Sequence, residues 1–154
     1  MKRVHHLLVT VALLGGAGAA SAQTTATQNV TITVTEVDII TVAGGDVAIS
    51  VGVGSTQAAR TYSVTTNGTA RTITGQITTG VNFPTGLTLT TNLVAPTNAS
   101  SNGAVALTTT AATLVTGIAN VDQSGLGITY TATATASAPT GAQGQRTITY
   151  TIVP

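Results

Sequence analysis

From Asn29 to its end the chain alternates apolar and polar positions with period two, the pattern of strands that bury one face. Val30, Ile32 and Val34 alternate with Thr31, Thr33 and Thr35. The phase then shifts to Val37 and Ile39, followed by Ile40 and Val42, which predicts a bulge or break near Glu36–Val37. Gly44-Gly45 predicts a turn into a strand carrying Val47, Ile49, Val51 and Val53, and a Gly/Ser/Gln link leads on to Tyr62 and Val64. Asn67-Gly68 reads as a two-residue type I′ hairpin turn. That turn would pair Thr66 with Thr69 and Tyr62 with Ile73, with Ile77 extending the same face.

The second half repeats the pattern. A turn at Pro84-Thr85-Gly86 precedes Leu87, Leu89 and Leu93, and residues 96–103 read as a polar loop. Val105 and Leu107 start a short strand, and Leu114–Ile118 supplies another. Leu126, Ile128, Tyr130 and the even-numbered alanines from Ala132 to Ala138 form one side of a closing hairpin, with Ile148, Tyr150 and Ile152 on the other. For both apolar sets to share a face, the intervening loop must hold an odd number of residues unless a bulge intervenes. The sum is eight to ten strands and no helix beyond the N-terminal segment. Many short strands with frequent turns predict an all-β, antiparallel β-sandwich, Ig-like or pilin-like, or a barrel. A β-solenoid is the alternative, because TxT strings recur, but no fixed repeat period accompanies them.

Composition sharpens this picture. Of 154 residues, 35 are threonine, 6% are charged and none is cysteine or tryptophan. Threonine is a poor helix former that suits a pleated surface. Met1–Ala22 has a basic start at Lys2 and Arg3, a short apolar run and a closing Ala20-Ser21-Ala22, which predicts a secretory signal peptide cleaved after Ala22. The apolar run is shorter than the roughly 20 residues a spanning helix needs. Cleavage would leave Gln23–Pro154 as a single sandwich domain at the cell surface or beyond, without histidine, lysine or methionine. Its charges would be Arg60, Arg71 and Arg146 against Glu36, Asp38, Asp46 and Asp122, a net −1.

That inventory excludes most catalytic chemistry. A serine nucleophile lacks its usual histidine base, zinc lacks its Cys and His ligands, and three arginines do not make a nucleic-acid footprint. Two-carboxylate hydrolysis needs only two acids, and Glu36 and Asp38 would share one strand face. No tryptophan platform for sugar accompanies them, so the pair reads instead as a solvated strand face or junction, and the expectation is no enzyme and no cofactor. Calcium is the one ion the chain has ligands for, with Glu36, Asp38, Asp46 and Asp122 as candidates, although no DxDxDG loop is present. Asn29, Asn67 and Asn98 head glycosylation sequons, which chance alone produces in so Thr- and Asn-rich a chain.

The edges carry the functional argument. Soluble β-proteins guard edge strands with lysine, proline, inward charges or bulges. Val30–Thr35 and Thr147–Val153 have high β-propensity, no charge and no proline, the profile of segments that pair between molecules. The stretch from Gln23 to Glu36 begins as a polar tail and becomes an alternating strand. A terminal strand can be donated to an open groove in a neighbour, and head-to-tail donation gives an open filament.

With its NVTITVT segment (Asn29–Thr35), its closing RTITYTIV strand (Arg146–Val153) and its N-terminal leader, the chain resembles secreted pilin-type subunits, in which an N-terminal extension complements an incomplete sandwich. It lacks the cysteine pair common in chaperone-usher pilins. The resemblance implies an extracellular fibre or surface layer built from repeated copies. On that reading Val30, Ile32 and Val34 are the inserted side chains, and Ile148, Tyr150 and Ile152 line the receiving edge or groove. The alternatives are a monomeric extracellular Ig-like or carbohydrate-binding adhesion module that takes a surface glycan, and binding of ice or crystalline polysaccharide by a flat threonine array.

Overall fold

Period-two alternation and threonine-rich outer faces produce strands throughout the described part of the chain. The structure, a computed structural model, describes residues 25–154, and among these there are nine strands and no helix. They are β1 (Asp38–Ala43), β2 (Gly54–Thr66), β3 (Arg71–Thr79), β4 (Leu87–Leu93), β5 (Ser100–Ser101), β6 (Val105–Ala106), β7 (Ala112–Ile118), β8 (Val121–Ala134) and β9 (Thr147–Val153). The proposed signal, Met1–Ala22, lies outside the described residues.

All pairings are antiparallel, in two open sheets. The first sheet has the order β1-β2-β8-β4-β6 and the second β5-β7-β3-β9. Inward side chains of both sheets meet in one core: Tyr62, Val64, Leu89, Leu93, Ile128 and Tyr130 from the first, Ile73, Ile77, Leu114, Val115 and Ile118 from the second. The architecture is therefore sandwich-like, and neither a closed barrel nor a solenoid occurs among the described residues.

Both expected hairpins are absent. β2 pairs with β1 and β8, whereas β3 pairs with β7 and β9, so Asn67-Gly68 carries the chain from one sheet to the other. Neither residue has the positive φ that a type I′ turn demands; in that link the left-handed residue is Ala70, at φ 57°. Tyr62 and Ile73 are both buried, but in opposite sheets. β8 and β9 likewise lie in different sheets. Alternation assigns each strand an inner face, and an inner face is buried equally well by packing across a sandwich as by lying beside its sequence neighbour.

Further expectations change. Val30–Thr35 belongs to no strand. Of the bulge or break expected near Glu36–Val37 the break is what occurs: β1 starts at Asp38 and pairs without interruption to Ala43 with even positions inward, and Val37 and Ile39 are exposed. The alternating stretch Val47–Val53 forms no ladder, although Val47, Ile49 and Val51 pack against the core. Arg60 diverts it: its Nη2 donates to the Asp46 carbonyl at 2.8 Å and its Nε to that of Gly45 at 3.4 Å. β2 in turn begins earlier than expected, at Gly54, and β5 falls inside the polar loop.

Candidate assembly interface

Each sheet ends in a strand with a partner on one side. β9 pairs with β3 and β1 with β2, and the two approach each other along one flank of the core. On β9, Ile148, Tyr150 and Ile152 stand opposite Ile77, Gly75 and Ile73 and share their inward face. On β1, Ile40 and Val42 stand opposite Val64 and Tyr62. The inner partners Ile73, Val64 and Tyr62 are fully buried, yet Ile40, Ile148, Tyr150 and Ile152 are half-buried and Val42 is 39% exposed. Apolar residues that point inward but keep contact with water mark a seam whose cover stops short. Among the described residues no strand pairs with the outer edge of β9, and β9 carries no charged side chain.

Tyr150 is the deepest element of this seam. Its hydroxyl donates to the Tyr130 hydroxyl at 3.0 Å and lies 3.1 Å from Thr91 Oγ1, tying β9 to the first sheet. Burial above all pushes this phenol well above its ordinary value. Gly75 makes the room: a Cβ there would meet Leu114 Cδ1 at 2.7 Å and the Tyr150 ring at 3.3 Å. On the other sheet, Tyr62 donates to the Val94 carbonyl at 2.6 Å, and burial pushes its hydroxyl up to about 12.

The alternating N-terminal segment has the opposite character. Val30, Ile32 and Val34 are 74%, 83% and 79% exposed, and residues 25–37 join no ladder among the described residues. Val34 opens the compact unit 34–154; residues 25–33, taken by themselves, are exposed throughout.

Where this segment meets β1, the chain is clamped. The Asn67 side chain accepts from Val37 N at 2.8 Å and donates to the Thr35 carbonyl at 2.8 Å, while Asn67 N donates to the Val37 carbonyl at 3.3 Å. These bonds extend the β1–β2 register one step beyond its last rung. Arg71, 7% exposed, forms ion pairs with both Glu36 and Asp38, the latter at 2.9 Å. Thr66 Oγ1 donates to Asp38 and accepts from Gly68 N. A Cβ at Gly68 would lie 2.6–2.8 Å from side-chain atoms of Arg71 and Glu36, so a larger residue there would shift the ends of both side chains. Asn67, Gly68 and Arg71 were invisible as a unit in the sequence, where Asn67-Gly68 has the form of a hairpin turn.

The four carboxylates proposed for calcium each have a partner within the chain. Glu36 and Asp38 are engaged by Arg71, Asp46 accepts from Gln145 at 3.1 Å and Asp122 from Thr65 at 2.8 Å. Among the described residues no group of three His, Cys, Asp or Glu side chains converges, and no helix is long and apolar enough to cross a membrane. The Glu36–Asp38 pair expected on one strand face is bridged by a buried guanidinium. Comparison with family models, curated proteins and solved structures finds no match to this chain.

Proposed function

We propose that the protein is an exported structural subunit that assembles by β-strand addition into an extracellular fibre or surface layer. Asn29–Thr35 of one copy serves as the donated strand and the β1/β9 seam of the next copy receives it. The observation that carries this reading is a complementary pair of deficits within one chain. Val30, Ile32 and Val34 present three alternating β-branched side chains to water, and Ile148, Tyr150, Ile152, Ile40 and Val42 form an apolar lining left half-covered.

A donated strand beside β9 would satisfy its free backbone groups, and side chains opposite Ile148, Tyr150 and Ile152 would face the same way, into the seam. Burying three such side chains stabilises by about 1.5–3 kcal/mol each before the ordering cost. Each copy donates one strand and accepts one, so assembly is head-to-tail and open-ended. An Ig-like, pilin-like sandwich fits this role, and export follows from the leader-like Met1–Ala22.

Electron microscopy of Gln23–Pro154 beside a chain beginning at Glu36 tests the reading. Filaments from the longer chain, absent from the shorter, are expected. Monodisperse particles from both, with no response to added Gln23–Val37 peptide, would replace it with the self-contained adhesion module.

A further inference from the structure

A donated strand faces a competitor. The tail and the seam belong to the same molecule, and the tail joins β1, which is one wall of that seam. A segment tethered by a short linker meets its site at an effective concentration of about millimolar, well above the micromolar range in which free subunits would meet. Unless something bars it, the tail closes its own seam and the chain stays monomeric. A reversal at residues 35–37 would achieve such closure, bringing Asn29–Val34 back antiparallel to β1 with Ile32 and Val30 opposite the inward Ile40 and Val42.

Resting on the strand-donation reading, we infer that the Asn67–Arg71 clamp bars this reversal and reserves the tail for a second copy of the chain. Every residue the reversal needs is engaged. The Thr35 carbonyl and both backbone groups of Val37 are bonded to Asn67, and the side chains of Glu36 and Asp38 are held by Arg71. These bonds keep the backbone in line with β1 for one step past the end of β2. Local sequence acts in the same sense: Val34, Thr35 and Val37 are β-branched and no Gly or Pro interrupts Val34–Asp38, so the segment resists a tight turn.

The test uses the full chain exported with its own N-terminus, in wild-type form, as Asn67→Ala, and as the double variant Glu36→Asn with Val37→Gly. The double variant leaves the sheet crossover untouched and places a favoured three-residue turn, with glycine at its left-handed position, where reversal is needed. Sedimentation velocity reads the polymer fraction, and amide hydrogen exchange reads residues 29–35. Both variants are expected to lower the polymer fraction at least several-fold and to yield monomers in which these amides are protected.

An unchanged polymer fraction in a folded double variant, or monomers whose 29–35 amides exchange freely, overturns the clamp. A separate arm tests donation itself. Ile32→Asp, whose own tail cannot fill the seam, is titrated with labelled Gln23–Val37 peptide. Binding there with no effect of the clamp variants rejects the clamp alone. No binding, together with no wild-type polymer, rejects donation and the clamp with it.

Discussion

Two segments of this chain are written almost identically and end up in opposite circumstances. Asn29–Thr35 reads NVTITVT and Arg146–Val153 reads RTITYTIV, each an alternation of β-branched or aromatic residues with threonine. The second is β9, paired along its length with β3, its Tyr150 bonded to Tyr130 across the core. The first joins no strand, and its three apolar side chains are more than 70% exposed. The same pattern therefore specifies a face to bury without specifying what buries it. For Ile148 and Ile152 the cover is partly supplied by the core of the same molecule; for Val30, Ile32 and Val34 the described residues supply almost none.

The sharpest way to break the comparison is to place the same charge in each segment. Ile32→Asp removes an exposed side chain, so the folded subunit keeps its melting temperature while polymer disappears from sedimentation profiles. Ile152→Asp sets a carboxylate opposite fully buried Ile73, and is expected to cost at least about 2 kcal/mol in denaturant unfolding. Equal destabilisation by both would mean that Ile32 belongs to a core of its own subunit, and the contrast between the segments would vanish.

How far the sequence carries follows from the same contrast. Alternation located β3, β4, β7 and β9 to within a few residues and identified Tyr62, Ile73, Leu93 and Ile128 as inward-facing, because period two is a direct consequence of strand geometry. Partnership is not local, and there it misled. Asn67-Gly68 has the composition of a hairpin turn, but Asn67 uses its side chain to hold Thr35 and Val37, about thirty residues away. Val47, Ile49 and Val51 alternate as a strand should, yet Arg60 captures the carbonyls of Gly45 and Asp46 and draws the chain off the sheet. The clamp residues carry no motif because its parts come from the start of the domain and from a sheet crossover. Arg71 alone left a trace, as one of few charges in a nearly uncharged chain.

A smaller change sharpens the account of β9. Gly75 faces Tyr150, and a methyl group there would collide with Leu114 Cδ1 and crowd the ring. Gly75→Ala is expected to destabilise by about 1–3 kcal/mol, as overpacking a close-fitted core does. Since Tyr150 also lines the seam, the variant should weaken binding of a Gln23–Val37 peptide to the Ile32→Asp background. Loss of stability with undiminished peptide affinity would separate the core role of Tyr150 from any role at the interface.

The gentlest probe exploits the buried phenols. Tyr62 ionises at about 12 in the folded chain because burial disfavours the phenolate, against about 10 when unfolded. Below pH about 10 the hydroxyl is protonated in both states and the stability it confers is fully present. Between about 10 and 12 the unfolded chain releases the proton and the folded chain holds it, so stability falls as pH rises through that window. Tyr150, displaced in the same direction by burial, adds to the decline. Tyr62→Phe forfeits the bond to the Val94 carbonyl, costing about 1 kcal/mol at neutral pH, and should flatten the alkaline slope in denaturant titrations. Every group in that argument lies inside one subunit, whereas Val30, Ile32 and Val34 contain nothing that titrates. Alkali in this range should therefore loosen the sandwich before it acts on the donated side chains. Filaments lost at a pH where isolated Ile32→Asp subunits remain fully folded would point instead to Tyr150, the phenol that lines the seam.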